Sequence, residues 1–374
     1  MPKNKKIGYR PTWAEINLDN LEYNFRSVKK RLAPGVKTLA CVKADAYGHG
    51  AVEAAKRLVK NKVDYLGVAS IDEGIELRKA GIRKPILVLG LSLEEDIAPL
   101  FRHRLIPTIS GWEFARALNA MAKRKNRLIK AHIKVDTGMG RIGVLSDLAV
   151  ELMKNIQRLE FVKVEGLFTH LSCADTHEGL TLGQLKKLSA IAGELKNIGL
   201  RIPLLHAGNS LATVSYEHSH FNMVRPGLIL YGLYPKEKFP IKLKPVLSLK
   251  TRIVYVKKLP KGYGVSYGRT YVTKKETTIV TLPIGYGDGY PRNLSNIGPV
   301  LICGRRFRIC GRVCMDQIMV DVGDLKVRPG EEAVLIGSQG REKITVEELA
   351  GLANTIPYEI VCGFGRRIPR VYTP

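Results

Sequence analysis

The sequence has no long hydrophobic run and no apolar N-terminal segment. None of its apolar stretches reaches the roughly 20 residues that cross a bilayer, so it predicts no membrane segment and no membrane partner. The N-terminus is polar and basic and lacks the apolar core of a secretion signal, which predicts a cytoplasmic protein. A hydrophobic fraction of 45% and a charged fraction of 25% are typical of a globular protein.

Acidic residues are scarce beside basic ones. The chain has 34 Asp and Glu against 60 Lys and Arg, which gives a formal net charge of +26. Such a balance is one signature of nucleic-acid or membrane-surface binding. The basic residues are scattered, however, and no aromatic residues alternate with them as base stacking requires. We therefore expect a generally basic surface and no nucleic-acid partner.

Cysteine is also sparse, with six residues spread from position 41 to position 362. In a cytoplasmic protein these are expected to be free thiols. Cys310 and Cys314 are spaced like half of a metal site. No second Cys pair or His pair completes a set of four ligands, so the sequence predicts no metal site.

Short apolar runs alternate with helical patterns over the first two thirds of the chain. The predicted helices include 52–59, 71–80, 112–122, 145–159 and 182–198. The predicted strands are 36–42, 65–69, 85–89, 105–109, 130–135, 162–169, 202–206 and 223–231. Eight such units are typical of a (β/α)8 barrel, in which the chemistry lies at the carboxyl ends of the strands. We predict an N-terminal TIM barrel over residues 17–240.

The sequence pattern changes after residue 240. Short β-branched segments separated by Gly, Pro or Asp predict a mostly β C-terminal domain over residues 241–374, joined by an N-terminal strand at about 11–16. One helix is expected at 345–355, with Thr345 as its cap. The predicted fold is α/β, a TIM barrel followed by this β-rich domain.

Lys43 ends the first predicted barrel strand and is followed by a Gly-containing turn. A desolvated lysine has a depressed pKa and forms a Schiff base with an aldehyde. Tyr47 in the turn can donate a hydrogen bond to a phosphate. This layout indicates an anchor for pyridoxal phosphate.

Other polar residues lie in or at the ends of later predicted strands, among them Lys134, His170, the segment 206–210 and Arg225. His170 or Arg225 alone would usually have a structural role, but together these residues would share one rim of the barrel. The segment 138–143 also fits the G-x-G-x-x-G pattern of dinucleotide binding. That pattern normally belongs to the first unit of an open sheet, whereas this one lies in the fifth unit of a predicted barrel.

Eight segments taken together resemble the alanine racemases, the fold-type III pyridoxal-phosphate enzymes. They span nearly the whole chain and are 42–50, 134–141, 206–210, 224–227, 265–268, 284–289, 311–317 and 355–359. The resemblance implies pyridoxal 5'-phosphate as cofactor and alanine as substrate. It also implies a homodimer whose active sites are shared between subunits, supplying D-alanine for peptidoglycan synthesis.

The resemblance implies a role for each cofactor-binding residue. Lys43 would carry the Schiff base, and Arg225 would face the pyridine nitrogen, which stays unprotonated because arginine essentially never gives up a proton. His170 would link Arg225 to the catalytic tyrosine. The remaining cofactor-binding residues are Tyr47, Asn209, Ser210, Tyr358 and the backbone N–H groups of Gly227 and Leu228.

The resemblance also implies two bases, one on each face of the substrate Cα. Lys43 would act on D-alanine, and Tyr267 of the partner subunit would act on L-alanine. Arg141 and the backbone of Met315 would bind the substrate carboxylate, and Lys134, often carbamylated in this family, would orient the arginine. The supporting residues implied are Tyr286, Cys314 and Asp316.

Three alternatives remain open at this point. A non-catalytic pyridoxal-phosphate carrier would share the barrel but would need no second domain and no second base. An amino-acid decarboxylase would share the barrel and the lysine. A nucleic-acid-binding protein would rest on the net charge of +26 alone.

Overall fold

The computed structural model describes residues 9–235 and 239–374. The α-helices are α1 (Leu18–Lys29), α2 (Lys43–Gly48), α3 (Ala51–Lys60), α4 (Ile71–Lys79), α5 (Ile97–Arg102), α6 (Trp112–Arg124), α7 (Ala149–Ile156), α8 (Glu178–Asn197), α9 (Ala212–Ser215), α10 (Val346–Leu352) and α11 (Pro357–Cys362). The strands up to residue 235 are β1 (Thr12–Asn17), β2 (Lys37–Cys41), β3 (Tyr65–Val68), β4 (Ile86–Val88), β5 (Thr108–Ile109), β6 (Ile129–Asp136), β7 (Val144–Leu145), β8 (Val162–Phe168), β9 (Leu204–His206) and β10 (Met223–Val224). The strands after residue 238 are β11 (Leu247–Arg252), β12 (Tyr255–Leu259), β13 (Gly264–Val265), β14 (Tyr271–Val272), β15 (Thr277–Leu282), β16 (Pro299–Ile302), β17 (Arg305–Arg308), β18 (Ile318–Gly323), β19 (Glu332–Gln339), β20 (Glu342–Ile344) and β21 (Arg370–Thr373).

Eight parallel strands form the predicted barrel. Their order is β4-β3-β2-β10-β9-β8-β6-β5, with β7 added beside β6. A parallel bridge between Leu87 and Ile106 closes the ring, and the N–H of Val88 donates to the carbonyl of Ile106 at 2.9 Å. Side chains of the strands and of the surrounding helices fill one continuous hydrophobic core. The predicted barrel is confirmed.

Two predicted elements differ most in extent from the structure. The strand predicted at 223–231 ends at Val224, and a 3-10 helix occupies Leu228–Tyr231. Pro226 has no N–H to donate to a neighbouring strand, so the ladder cannot continue through it. The helix predicted at 145–159 begins only at Ala149, because Val144–Leu145 pairs with β6 as β7.

The part after residue 238 is mostly β, as predicted. A sheet with the order β17-β16-β19-β11-β1-β21 carries β20 on β19, and β12-β15-β18 form a second sheet. The strand β1 lies antiparallel to β11 and parallel to β21, so the N-terminal strand is part of the C-terminal sheet. Helix α10 begins after Thr345, whose hydroxyl accepts the N–H of Glu348 at 3.1 Å. The predicted cap is confirmed.

The C-terminal part contacts the barrel where the first barrel strand ends. Nε of Arg370 donates to the carbonyl of Gly48 at 3.0 Å. Gly48 also lies so close to the carbonyl of Val361 that a Cβ at this position would overlap it. This contact brings α11, and with it Tyr358, against α2.

In the two described ranges, no helix combines the length and the apolar character needed to cross a membrane. The same residues contain no group of three or more His, Cys, Asp and Glu arranged to hold a metal ion. The six cysteines are all free thiols.

Candidate active site

Lys43 lies at the carboxyl end of β2 and is followed by a left-handed helical turn. The four residues from Ala44 to Tyr47 have φ of 52–54° and ψ of 42–53°. None of them is glycine, and this conformation costs L-residues roughly 1–2 kcal/mol each. Strain of this kind persists where surrounding contacts fix it, often at functional sites.

Local hydrogen bonds hold the turn. The carbonyl of Asp45 accepts the N–H of Gly50 at 2.9 Å, and its carboxylate accepts the N–H of Ala51 at 2.7 Å. Burial lowers the pKa of His49 to about 4, so its ring is neutral and has one N–H. Nδ1 of His49 donates that proton to the carbonyl of Tyr47 at 2.8 Å.

Glu73 fixes the start of the turn, a role that the sequence did not indicate. Its carboxylate accepts the N–H of Ala44 at 2.7 Å and the N–H of Ala69 at 2.6 Å. Glu73 lies in the first turn of α4, which follows β3. The neighbouring barrel unit therefore orients the backbone beside Lys43, a contact that only the tertiary structure creates.

Three tyrosines pack together beside the turn. The ring of Tyr47 lies 5.1 Å from that of Tyr231 and 5.8 Å from that of Tyr358, between ring centroids. Burial raises the pKa of Tyr47 well above its ordinary value and that of Tyr358 to about 12. Both phenols are therefore neutral at physiological pH and can donate hydrogen bonds to an anion.

Gly227 brings the backbone against the hydroxyl of Tyr47. A Cβ at position 227 would lie 2.5 Å from Oη of Tyr47. The N–H of Gly227 donates to Oγ of Ser210 at 2.9 Å, and Leu228 follows as the first residue of the 3-10 helix. Hydroxyls of Tyr47 and Ser210 thus meet a backbone N–H in one small space. Neutral donors of this kind suit a phosphate.

Asn209 has a local role in this arrangement. Its Oδ1 accepts the N–H of Ala212 at 3.0 Å, and its carbonyl accepts the hydroxyl of Thr213 at 2.6 Å. These bonds fix the turn from β9 into α9. They orient the backbone on which Ser210 lies.

Arg225 is buried with only 4% of its surface exposed. Its Nη2 donates to the carbonyls of Thr169 at 2.7 Å and of Ala207 at 3.0 Å, and lies 3.5 Å from Nδ1 of His170. Its Nη1 lies 3.0 Å from Nδ1 of His206. Burial lowers the pKa of Arg225 to about 10, which still leaves the guanidinium charged at neutral pH.

Lys134 is buried beside two arginines. Burial, with Arg225 and Arg141 nearby, lowers the pKa of its amine to about 6. Its Nζ lies 4.9 Å from the centroid of the Phe168 ring. Burial and the same arginines also lower the pKa of His170 well below its ordinary value. A neutral amine and a neutral imidazole thus lie among fixed positive charges.

A second cluster lies on the surface of the C-terminal part. Tyr267, Met315 and Tyr286 are 69%, 52% and 43% exposed. The N–H of Tyr286 donates to the carbonyl of Cys314 at 3.0 Å, and Oγ of Ser266 lies 3.4 Å from Sγ of Cys314. Within residues 9–235 and 239–374, no hydrogen bond, ion pair or ring contact joins this cluster to Lys43. Exposed apolar side chains grouped in this way indicate an interaction surface.

Ion pairs fix the loop that carries Met315, and the sequence did not indicate them. Arg10 pairs with the buried Asp288 at 2.5 Å and donates to the carbonyl of Asp316 at 2.8 Å. Arg367 pairs with the carboxylate of Asp316 at 2.9 Å. Arg10 and Arg367 thus hold Asp316, the residue next to Met315, through its carbonyl and its carboxylate.

Comparison with known proteins identifies relatives over the whole chain. The family profile "Alanine racemase, N-terminal domain" matches residues 16–235, and "Alanine racemase, C-terminal domain" matches residues 246–372. The alanine racemase of Halothermothrix orenii is 50% identical over 373 residues, which are 99% of this chain and 98% of that protein. That of Carboxydothermus hydrogenoformans is 46% identical over 97% of this chain and 100% of its own length.

Solved structures of similar fold carry the same description. An alanine racemase of Clostridium difficile 630 superposes with a TM-score of 0.92 at 41% identity and covers 97% of this chain and 96% of its own. An alanine racemase of Bacillus anthracis with bound L-Ala-P gives a TM-score of 0.93 at 36% identity, over 98% of this chain and 96% of its own.

Proposed function

The chain belongs to the alanine racemase family and is an isomerase of that class, and we propose that it interconverts L-alanine and D-alanine with pyridoxal 5'-phosphate. The observation that carries the proposal is the placement of Lys43 and Tyr47 on one turn at the carboxyl end of β2, with the hydroxyl of Tyr47 beside Gly227, whose N–H meets the hydroxyl of Ser210. When bound, this cofactor supplies an aldehyde and a conjugated ring that withdraws electrons from the substrate Cα.

The donor set fits the cofactor. Lys43 offers the amine for the aldehyde, and the hydroxyls of Tyr47, Ser210 and Tyr358 offer protons to the phosphate. The backbone N–H groups of Leu228 and of Gly227, which in the structure donates to Oγ of Ser210, would complete the set. Only glycine leaves room for the Tyr47 hydroxyl at position 227. Binding an anion through neutral groups keeps further acids away from the reacting carbon.

Arg225 would hold the pyridine nitrogen without protonating it. Carbonyls and His206 hold the guanidinium in place, and it does not give up a proton at neutral pH. By leaving that nitrogen unprotonated, Arg225 would keep the cofactor a weak electron acceptor, which would favour return of the proton to Cα over transamination. His170, in contact with Arg225, would face the second base.

The two bases would come from different subunits. Lys43 would remove the proton of D-alanine, and Tyr267 of the partner subunit would remove that of L-alanine. Tyr267 is 69% exposed and lies in a surface cluster separate from Lys43, which supports a homodimer that covers this surface. A phenol has an ordinary pKa of about 10, so it needs a nearby positive charge to act as a base.

Arg141 would supply that charge and would bind the substrate carboxylate together with the N–H of Met315. Lys134 has the neutral amine that carbon dioxide requires to form a carbamate, and the carbamate would then pair with Arg141. In ¹³C-bicarbonate we expect a ¹³C signal of a carbamate that is lost in Lys134→Ala. An unchanged spectrum in that variant would contradict a carbamate on Lys134.

Tyr286, Met315 and Tyr358 would limit the pocket to a small substrate.

A mixing experiment tests the shared site. Lys43→Ala and Tyr267→Phe are each expected to be inactive alone. Random exchange between them makes half of the dimers mixed, and each mixed dimer has one complete site of two. About one quarter of the parent rate should therefore return. No return of racemisation would contradict a site built from two subunits.

We also propose that the D-alanine formed supplies peptidoglycan synthesis, as it does in this family, and that the protein acts in the cytoplasm. The decarboxylase alternative would be recognised by carbon dioxide release from L-alanine. The carrier alternative would bind the cofactor without turning over alanine.

A further inference from the structure

A column of buried polar side chains runs from the site into the barrel interior. We call Arg225, His206, His132 and Glu165 the polar column. Nη1 of Arg225 lies 3.0 Å from Nδ1 of His206, and Nε2 of His206 lies 2.8 Å from Nδ1 of His132. Nε2 of His132 lies 3.7 Å from Oε2 of Glu165. No member is more than 8% exposed.

The protons of the polar column have one consistent arrangement. An arginine only donates, so Nδ1 of His206 accepts and its ring proton lies on Nε2. That proton is donated to Nδ1 of His132, which leaves the proton of His132 on Nε2, facing the carboxylate. Burial lowers the pKa of both imidazoles, so each is neutral with a single N–H. Every contact thus runs in one direction, from guanidinium to carboxylate.

The backbone is shaped around the column. The pairing of β6 with β8 shifts register, so that Ala131 lies opposite Val164 and His132 lies opposite Gly166. Glu165 is the extra residue at this bulge, and bulges re-aim side chains. A Cβ at Gly166 would overlap the ring of His132, so the glycine makes room for it.

Glu165 is the last residue of the polar column, and its two carboxylate oxygens face different residues. Its Oε1 accepts from Nζ of Lys130 at 2.5 Å, and that lysine is half exposed. In the part of the chain that the structure describes, neither Oε2 of Glu165 nor Nε2 of His132 has a hydrogen-bond partner. Buried polar groups are rarely left unpaired, and each of these two faces the other.

We propose that Glu165 is a positioning residue that acts through His132 and His206 to hold the Arg225 guanidinium in its orientation. This inference rests on the proposed function, in which the Arg225 guanidinium would face the pyridine nitrogen of the cofactor. The ring of Phe168 supports the same geometry, since it stacks on His206 at 4.7 Å and 3° and lies 5.4 Å from Cζ of Arg225. Losing the carboxylate leaves an N–H of His132 without a charged acceptor and weakens His206 as an acceptor for Arg225.

Glu165→Gln tests the proposal, because it keeps the size of the side chain and removes the charge. Glu160→Gln is the matched control, an exposed carboxylate on the loop before β8. The first readout is the ¹⁵N spectrum of histidine-labelled full-length protein, recorded as purified and after removal of the cofactor. Both column histidines should be neutral with the proton on Nε2. In Glu165→Gln the signals of His132 and His206 should both shift, and Glu160→Gln should leave them unchanged.

The second readout is the ratio of transamination to racemisation in the loaded protein. Glu165→Gln should raise this ratio about tenfold, and Glu160→Gln should not. A proton on Nδ1 of either histidine overturns the proposal. So does a shift confined to His132, or an unchanged ratio with lowered stability, since both indicate a purely structural carboxylate. If the protein does not racemise alanine at all, the proposed function fails, whereas the spectrum of the cofactor-free protein still decides the direction of the column.

Discussion

Gly227→Ala is predicted to weaken cofactor binding, because its new Cβ would displace the hydroxyl of Tyr47. The new Cβ would lie 2.5 Å from Oη of Tyr47, 3.0 Å from its Cζ and 3.3 Å from Cβ of Cys41. Real Cβ contacts essentially never fall below 3.0 Å, so the hydroxyl must move by at least 3.0 − 2.5 = 0.5 Å. The Tyr47 ring lies against those of Tyr231 and Tyr358, so it cannot simply swing aside.

The expected loss follows from that displacement. A hydrogen bond to a charged group contributes about 1.5–3 kcal/mol, and overpacking costs about 1–3 kcal/mol more, shared between folding and binding. We expect the Kd for pyridoxal phosphate to rise by roughly 10- to 100-fold. An absorbance titration of the cofactor-free protein measures it. Gly193→Ala is the control, because a Cβ at that exposed helical position meets nothing within 4 Å.

A double-mutant cycle identifies the atom. Tyr47→Phe removes Oη and leaves the ring, so Gly227→Ala should cost clearly less in the Tyr47→Phe background than in the parent. Strictly additive effects would refute the reasoning, because the two changes would then act independently. A Kd for Gly227→Ala within twofold of the parent would refute it as well.

The remaining predictions concern single side chains. Lys43→Ala should abolish both the yellow absorbance band and turnover in each direction. A retained band would show that another residue binds the cofactor aldehyde. Tyr267→Phe should keep the band and lose racemisation, and an unchanged rate would exclude this tyrosine as a base. Arg225→Glu should raise transamination of alanine, measured as pyruvate formed, because a carboxyl group can protonate the ring. Burial acts to raise the pKa of Glu165, but contacts with His132 and Lys130 outweigh it and lower the pKa from 4.5 to about 2. The stability from this group is present above pH 4.5 and lost as the pH falls towards 2, so Glu165→Gln should show a shallower fall in unfolding free energy over that range.

The barrel was predictable because its signal is local. Each strand is a short apolar run, and the polar residue that ends it can be read directly, as with Lys43 and His170. The strand predicted at 223–231 was wrong beyond Val224, because Pro226 and Gly227 turn the chain within an apolar run. Patterns of hydrophobicity do not detect such a turn.

The supports of the site were not predictable from the sequence. The left-handed turn at 44–47 contains no glycine, so no local sequence signal predicts it. Glu73 and Asp288 act on residues that are distant along the chain, and the inward position of Glu165 depends on a register shift between two strands. The roles of Tyr267 and Met315 came from resemblance alone, since a single chain leaves both exposed.

The most direct test of the account is the conversion of L-alanine to D-alanine by the purified protein supplied with pyridoxal phosphate. The account predicts a yellow absorbance band that depends on Lys43, and equal final amounts of the two enantiomers from either starting side. A protein that shows the band but leaves L-alanine unchanged would contradict the proposed reaction. A protein that never binds the cofactor would contradict the site itself.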